Sequence, residues 1–127
     1  MARMDDVVGR YVYIELDGIE YRVYYEEAGQ GIPLVCQHTA GSDGRQWRHL
    51  LNDKDITDHF RVIAWDLPFH GKSVPPDGTD WWKQDYKLEG HWFMRFVLEI
   101  CDALGADNPV FMGCSMGGQL ALSLIHI

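Results

Sequence analysis

Short runs of β-branched and aromatic residues alternate with segments of helical periodicity along most of the chain. The first two runs cover residues 11–16 and 20–26 and are joined through Asp17-Gly18, a dipeptide that is typical of a two-residue β-hairpin. Further short apolar runs cover residues 34–36, 61–65 and 110–112. This alternation predicts an α/β fold in which an antiparallel hairpin leads into a mostly parallel sheet, covered by helices on both faces as a three-layer α/β/α sandwich.

Helices are predicted between these strands. Apolar residues three and four positions apart within residues 47–51 indicate a short helix with one buried stripe. The same spacing between residues 88 and 104 predicts a longer helix, which Gly105 would end. A third helix is predicted over residues 119–127, after a glycine-rich turn.

Composition and charge narrow the classes of function. The 127 residues fit one domain, and 11 Lys+Arg against 19 Asp+Glu give a net charge of −8. This acidic balance argues against nucleic-acid binding, which needs clustered basic side chains. No apolar stretch approaches the ~20 residues of a membrane span, and residues 1–10 lack the apolar core of a secretory signal. The thiols of Cys36, Cys101 and Cys114 form no C-x-x-C pair, which favours reduced cysteines in the cytoplasm.

The histidines do not form a metal-binding pattern. They show no H-x-x-x-H pair and no pairing with cysteine, the spacings that hold zinc in other proteins. We therefore expect neither a metal ion nor another cofactor. The histidines are His38, His49, His59, His70, His91 and His126.

One motif carries a specific chemistry. Residues 113–118, Gly-Cys-Ser-Met-Gly-Gly, contain G-x-S-x-G between a predicted strand and a predicted helix. In this context Ser115 would sit on a sharp turn at the carboxyl end of a strand, and Gly113 and Gly117 would avoid clashes with the neighbouring backbone. The alternative is a glycine-rich turn in which Ser115 only caps the following helix.

Together with this turn, two further segments resemble sequence motifs of the α/β-hydrolase fold superfamily, in the branch that uses a serine nucleophile. Residues 34–42 (LVCQHTAGS) resemble the strand and His-Gly-x-Gly loop of that family, and residues 66–73 (DLPFHGKS) resemble its D-x-P-G-x-G-x-S segment. The three motifs occur in the family's order and the resemblance covers residues 11–122. It implies the N-terminal portion of an α/β-hydrolase, with the fold incomplete.

The resemblance also implies a reaction. Ser115 would be the nucleophile, and the backbone N–H groups of Ala40 and Met116 would form the oxyanion hole. The expected partner is a small-molecule acyl substrate, with a carboxylic ester or related acyl bond cleaved through an acyl-enzyme. Lactones, thioesters, carbon–carbon bonds and acyl transfer stay open. A serine at this position excludes the branches that use Asp, namely the haloalkane dehalogenase-like and epoxide hydrolase-like enzymes.

The sequence departs from the family pattern at two positions where glycine is usual. Thr39 follows His38, and because Thr is β-branched, unusual backbone angles are unfavourable there. Phe69 takes the place of the second glycine, and we expect it to alter packing rather than chemistry.

Other polar candidates have structural interpretations. We expect His38 to shape its loop by hydrogen bonds, and Asp66 and His70 to do the same for residues 66–73. We expect Cys114 to be a small buried apolar residue rather than a nucleophile. Residues 74–87 are broken by Pro and Gly and predict a loop. An aromatic cluster near this loop could line a substrate pocket or belong to the core or a lid: Trp81, Trp82, Tyr86, Trp92 and Phe93.

The activating acid and base are missing after Ser115. In the family an Asp or Glu and then a His follow the nucleophile, but residues 116–127 contain no Asp or Glu, and His126 would lie roughly 15 Å along the helix. We therefore interpret residues 1–127 as the N-terminal part of one domain, truncated after the helix that follows Ser115 and inactive alone. The alternative is a non-catalytic protein that binds a ligand or partner. The sequence does not predict an oligomeric state.

Overall fold

The computed structural model describes residues 1–76, 78, 80–83 and 89–124. Within these ranges the strands are β1 (Val8–Leu16), β2 (Ile19–Ala28), β3 (Ile32–Gln37), β4 (Phe60–Trp65) and β5 (Val110–Gly113). The α-helices are α1 (Arg48–Leu51), α2 (Lys54–Thr57), α3 (Gly90–Ala103) and α4 (Met116–Leu124), and 3₁₀ turns cover Gly44–Trp47 and Trp81–Lys83.

The N-terminal strands form the predicted hairpin. Strands β1 and β2 are antiparallel, and Leu16 pairs with Ile19 across the turn. Asp17 and Gly18 both have positive φ, at 52° and 76°, as a type I′ turn requires. The turn matches the right-handed twist of the two strands, so the local sequence sets the register of the hairpin.

The hairpin leads into parallel strands, as predicted. The sheet order is β1-β2-β4-β3-β5. Strand β2 pairs antiparallel with β4, whereas β3 runs parallel to both β4 and β5. Strand β5 lies at the edge of the described sheet, and its Val110 and Met112 are 46% and 38% exposed.

Helices cover both faces of this sheet. Because side chains alternate along a strand, odd-numbered residues of β3 and β4 face the larger cluster and even-numbered ones face the smaller. The larger cluster joins the sheet to α3 and α4 through Val23, Val35, Ile63, Trp65, Phe96, Ile100 and Leu120. The smaller cluster joins the opposite face to α1 through Leu34, Cys36, Leu51, Val62 and Ala64. The predicted three-layer arrangement is confirmed.

Gly105 ends α3 as the sequence predicts. Its φ is 65°, and its N–H donates to the Asp102 carbonyl at 3.1 Å. The next N–H, of Ala106, donates to the Cys101 carbonyl at 2.8 Å. These two bonds form a Schellman motif, which satisfies carbonyls that the helix leaves without donors.

Two helix boundaries differ from the prediction. Helix α4 begins at Met116 rather than at residue 119, because Gly117 and Gly118 continue the helix instead of extending the turn. The sequence did not predict α2, which is a single turn capped by the Asp53 carboxylate through a 3.0 Å bond from the Asp55 N–H. Residues 125–127, the end of the predicted third helix, lie outside the described residues.

Candidate active site

Ser115 lies on the sharp turn between β5 and α4. Its φ is 56°, a left-handed conformation that is uncommon for a residue other than glycine, and the residue is exposed. Such conformations cost free energy and persist where the surrounding structure imposes them, often at functional sites. The backbone therefore presents the Ser115 hydroxyl to solvent at the end of a strand.

The glycines on either side of Ser115 are there for steric reasons. A Cβ on Gly117 would lie 2.8 Å from the Gln37 carbonyl oxygen. A Cβ on Gly113 would overlap the Gly117 backbone and lie 2.8 Å from the Gly118 nitrogen. Since real Cβ atoms do not approach other atoms so closely, only glycine fits at these two positions without moving the strand or the helix.

The sheet register brings the three motif segments to one edge. Gln37 of β3 is the register partner of Gly113 in β5, and Cys36 is the partner of Ala64 in β4. Because β3, β4 and β5 are parallel, the loops after them leave the sheet at the same carboxyl edge. This is where sheets of this class bind ligands.

His38 is a buried hydrogen-bonding residue. The Leu67 N–H donates to its Nε2 at 3.0 Å, so the ring proton must be on Nδ1, which lies 2.8 Å from the Thr39 carbonyl oxygen. Burial is the largest effect on this ring and lowers its pKa below the ordinary value of 6.5. A neutral imidazole with both nitrogens hydrogen-bonded shapes its loop, as predicted from the sequence, and has no free nitrogen to act as a general base.

The loop after β3 forms a four-residue turn. The Ser42 N–H donates to the Thr39 carbonyl at 3.2 Å, and Gly41 has φ 72°, which fits the third position of a type II turn. The expected difficulty at Thr39 does not arise, because the positive φ falls on Gly41 and not on the β-branched residue. Ala40 is exposed at the outside of this turn.

Of the two N–H groups expected in an oxyanion hole, that of Met116 lies at the start of a helix. Met116 is the first residue of α4, and the first N–H groups of a helix have no acceptor within it. The Thr39 N–H, which precedes that of Ala40, donates to Gln46 Oε1 at 2.9 Å and so is not available to a ligand. The roles of Ser115, Ala40 and Met116 stay predictions.

Asp66 holds the loop after β4 through backbone contacts. Its Oδ1 accepts from the Gly44 N–H at 2.7 Å, and its Oδ2 accepts from the Lys72 N–H at 2.8 Å. The Ser73 hydroxyl donates to the Asp66 carbonyl at 2.6 Å. His70 Nδ1 lies 3.0 Å from the Pro68 carbonyl oxygen. These contacts confirm the expected loop-shaping roles of Asp66 and His70.

Phe69 occupies a glycine-like conformation at the tip of this loop. Its φ is 68°, and the residue is 37% exposed. Its ring is tilted against that of Trp81, with 6.2 Å between the ring centroids. Among the other aromatic candidates, Trp81 and Trp82 are exposed, whereas Trp92 and Phe93 pack in the core on α3. The aromatic group therefore divides into a surface pair and a core pair. Tyr86 lies outside the described residues.

The exposure of Cys114 differs from the prediction made from the sequence. The sequence predicts a buried apolar residue at this position, but Cys114 is exposed. It follows β5, and no strand pairs with the outer side of β5 in the described part of the chain. Cys36 and Cys101 are buried, and burial raises the pKa of their thiols to about 12 and about 11.

Sequence reasoning missed two side chains that support the site. Gln46 binds the Thr39 N–H, a contact that only the folded loop creates. Gln37 is fully buried, accepts from Trp65 Nε1 at 2.7 Å and donates to the His38 carbonyl at 2.8 Å. A polar residue directly after the apolar run at 34–36 is the signal that could have drawn attention to it.

Metal-binding groups and membrane-spanning helices were also sought among the described residues. Among the described residues, no group of three or more His, Cys, Asp or Glu side chains is placed to hold a metal ion. None of the helices in the described ranges combines the length and the apolar character that crossing a membrane requires. His126 lies outside these ranges.

Comparison with known proteins identifies similar sequences. A family model described as the alpha/beta hydrolase fold matches residues 32–126. The chain is 30% identical over 126 residues to the dihydrolipoyllysine-residue acetyltransferase component of the acetoin cleaving system of Cupriavidus necator, covering 97% of the chain and 30% of that protein. It is 31% identical over 120 residues to 2-hydroxy-6-oxo-6-(2'-aminophenyl)hexa-2,4-dienoic acid hydrolase of Metapseudomonas resinovorans, covering 90% of the chain and 37% of that protein.

A solved structure shows the same arrangement. The thermophilic esterase of Thermogutta terrifontis superposes with a TM-score of 0.74 at 25% identity, covering 92% of this chain and 40% of the esterase. The chain thus spans less than half the length of each of these three proteins, and it corresponds to the N-terminal portion of the alpha/beta hydrolase fold.

Proposed function

Because this chain belongs to the alpha/beta hydrolase fold family, we propose that it is the N-terminal part of a serine hydrolase that cleaves a carboxylic ester or related acyl bond. The Ser115 oxygen attacks the substrate carbonyl carbon while its proton passes to a general base. The N–H groups of Ala40 and Met116 hold the resulting oxyanion. The alcohol then leaves with the proton, and water releases the acid from the acyl-enzyme.

The observation that carries this proposal is the conformation of Ser115. The residue is exposed at the strand end with φ 56°. A side chain at position 113 or 117 would clash with neighbouring backbone atoms. A serine that only capped the helix would not need a strained backbone between two sterically required glycines. The geometry therefore favours the nucleophile over the capping alternative.

We propose that the acid and base come from chain beyond Ile127. His38 is unsuitable as the base, since Leu67 and Thr39 occupy both of its ring nitrogens. Residues 116–127 contain no Asp or Glu. The similar proteins named above are more than twice as long as their matched parts, which leaves room for both residues.

The class of bond is inferred from serine chemistry and from similarity. The similar structure from Thermogutta terrifontis is named an esterase, which favours an ester. The relative from Metapseudomonas resinovorans is named a hydrolase of a hexadienoic acid, so carbon–carbon bonds belong in the same substrate screen, with lactones, thioesters and acyl transfer. We further propose a small-molecule acyl substrate and a cytoplasmic location, the latter because the cysteines show no disulfide pattern.

The test uses the full-length polypeptide, obtained by reading the gene past the codon for Ile127. We expect a fluorophosphonate probe to label Ser115, and Ser115→Ala to remove both labelling and hydrolysis of p-nitrophenyl esters. Since Cys114 carries an exposed thiol next to Ser115, Cys114→Ala is the matched control and should keep the label. A full-length protein that is folded but neither labelled nor active supports the alternative, a non-catalytic binding protein, and overturns the proposal.

A further inference from the structure

Residues 67–70 form a tight turn at the tip of the loop after β4. The His70 N–H donates to the Leu67 carbonyl at 2.9 Å, and this bond closes a four-residue turn with Pro68 in its second position and Phe69 in its third. A proline followed by a residue with positive φ, here 68°, is typical of a type II turn. The third position of such a turn favours glycine, so Phe69 occupies a position where a side chain is unfavourable.

Phe69 carries backbone strain that glycine at this position would not carry. A left-handed conformation costs a non-glycine residue free energy, and for a bulky residue it is a genuine outlier. Pro68 restricts the turn through its fixed φ, and Asp66 bonds across the loop to the Lys72 N–H and the Ser73 hydroxyl. Neither core cluster of the described residues includes Phe69. Core packing therefore does not explain the ring, and strain of this kind is often retained at functional sites.

The Phe69 ring belongs to an exposed aromatic patch, which consists of Phe69, Trp81 and Trp82. The ring centroids of Phe69 and Trp81 are 6.2 Å apart, and those of Trp81 and Trp82 are 5.9 Å apart. The planes are tilted by 48° and 87°, and all three residues are exposed. Rings at these distances and tilts have the geometry that aromatic pairs prefer, so a further aromatic ring can add to the patch in the same way.

The charged residues beside the patch neutralise each other. Asp80 and Lys83 flank the two tryptophans in the chain, and the Lys83 ammonium lies 3.0 Å from the Asp80 carboxylate. This pair leaves no net charge next to the rings. The patch therefore suits an uncharged aryl group rather than a carboxylate or a phosphate.

The patch lies at the same edge of the sheet as Ser115. Phe69 is in the loop after β4, Ser115 follows β5, and β3 lies between these two strands. Since neighbouring strands are about 4.8 Å apart, the ends of β4 and β5 are roughly 10 Å apart. The His70 ring, next to Phe69 in the chain, lies 5.1 Å from the ring of His38 in the loop after β3. The loop that carries Phe69 thus packs against the loop that separates it from Ser115.

We propose that Phe69, together with Trp81 and Trp82, determines substrate specificity by contacting an aryl group of the substrate. The inference rests on the proposed function, in which Ser115 attacks an ester or related acyl bond. It adds the substrate class, namely an ester whose acid or alcohol part carries an uncharged aromatic ring. That ring packs on the aromatic patch while the carbonyl carbon lies at Ser115, and the patch takes no part in breaking the bond.

The test compares esters with and without an aromatic ring in the full-length protein. Initial rates from pH-stat titration give kcat/KM for ethyl butyrate, which has no ring, for ethyl phenylacetate, with the ring in the acid, and for benzyl acetate, with the ring in the alcohol. Phe69→Gly and Trp82→Ala each remove one ring of the patch. We expect kcat/KM for an aryl ester to fall about 2- to 10-fold relative to that for ethyl butyrate, the factor that one aromatic contact is worth. The ester that is affected shows which part of the substrate carries the ring.

Two further variants are the controls. Phe69→Tyr keeps an aromatic ring and should keep the aryl preference of the wild type. Asn108 is another non-glycine residue with positive φ, at 47°, and it precedes β5 at the opposite edge of the sheet. Asn108→Gly therefore relieves the same kind of strain far from the patch, and the ratio of kcat/KM values should stay as in the wild type.

A packing role for the patch, or its burial under a segment beyond Ile127, predicts a different result. In that case the urea midpoint of unfolding would fall in Phe69→Gly, and all three esters would lose kcat/KM by the same factor, which would overturn the inference. Trp82→Ala provides the same comparison if Phe69→Gly does not fold.

Inactivation by benzyl and ethyl fluorophosphonates extends the comparison to enzymes that cleave bonds other than esters. The ratio of the benzyl to the ethyl inactivation rate should fall in Phe69→Gly by the same factor as the ester ratio. A folded wild type that is neither labelled nor active overturns the proposed function and this inference together. A labelled wild type whose ratio is the same in every variant overturns the inference alone.

Discussion

Ser115 and its neighbours show how a few residues define the candidate site. A left-handed conformation costs a non-glycine residue about 1 kcal/mol, and Ser115 adopts it at φ 56° because the chain must reverse between β5 and α4 within two residues. Gly113 and Gly117 permit that reversal by leaving their Cβ positions empty. Phe69 has a similar φ of 68° in the loop after β4, at the same edge of the sheet.

A residue-scale prediction follows from Gly117. The Cβ of Gly117→Ala would meet the Gln37 carbonyl oxygen at 2.8 Å, so we expect the full-length protein to lose about 1–3 kcal/mol of stability and the Ser115 probe label to weaken. The measurement is urea unfolding with fluorophosphonate labelling.

The neighbouring glycine provides the matched control for that prediction. The nearest atom to a Cβ on Gly118 is the Gly113 carbonyl oxygen at 3.7 Å, an ordinary contact. Alanine inside a helix is favoured over glycine by roughly 0.5–1 kcal/mol, so Gly118→Ala should be neutral or stabilising. Equal destabilisation by the two substitutions would contradict the steric explanation.

At the scale of elements, the parallel pairing of β3 with β4 and β5 determines where the candidate site forms. Strand β3 lies between β4 and β5, so the loops that follow all three meet at one edge. His38 links two of these loops by accepting from Leu67 and donating to Thr39. At the opposite edge, where β4 begins, Arg61 joins this strand to the end of α3 by donating to the Leu104 carbonyl at 2.7 Å.

The end of α3 supplies an element-scale prediction. Gly105 has φ 65°, and a Cβ added to it would have no atom within 4 Å, so Gly105→Ala adds backbone strain without a clash. We expect it to cost about 1 kcal/mol of stability. Gly105→Asn should cost less, because Asn tolerates the left-handed region. Thermal unfolding of the two full-length variants measures the difference, and equal losses would show that backbone strain is not the cause.

At the scale of the whole molecule, the described sheet has an open edge at β5. Val110 and Met112 are exposed there, and Leu122 of α4 is 66% exposed. An exposed strand edge can pair with other chains. The similar proteins are more than twice the length of their matched parts, and we attribute the open edge to the part of the fold that this chain does not include.

The open edge leads to a prediction for the polypeptide of residues 1–127 alone. We expect it to aggregate and to show no ester hydrolysis above background, because β5 lacks a neighbour on its outer side in the described sheet and because the acid and base that we propose for Ser115 lie beyond Ile127. Light scattering and size-exclusion chromatography measure the aggregated fraction. Replacing both Val110 and Met112 with Lys should lower that fraction, since charges on an edge strand oppose pairing.

The control for the lysine substitutions in β5 is a lysine placed on the exposed face of a helix. Leu98 of α3 is 50% exposed, so Leu98→Lys adds charge without touching a strand edge and should leave the aggregated fraction almost unchanged. A monomeric 127-residue polypeptide with Ser115-dependent ester hydrolysis would refute both parts of the prediction.

The sequence by itself determined the features that depend on neighbouring residues. Asp17-Gly18 specifies the type I′ turn, Gly105 ends α3, and the glycines beside Ser115 identify the sharp turn, because backbone sterics act over a few residues. The same local patterns predicted the α/β order of elements and the three layers of the fold.

Tertiary structure decided the features that depend on distant pairing. The exposure of Cys114 depends on the absence of a strand on the outer side of β5 in the described sheet. The bond from the Thr39 N–H to Gln46 Oε1 depends on how one loop folds back. The tautomer of His38, with its proton on Nδ1, depends on the N–H of Leu67, which is 29 positions away in the chain. Hydrogen bonds between distant segments form only when the sheet register places their atoms about 3 Å apart, and local sequence patterns do not encode that distance.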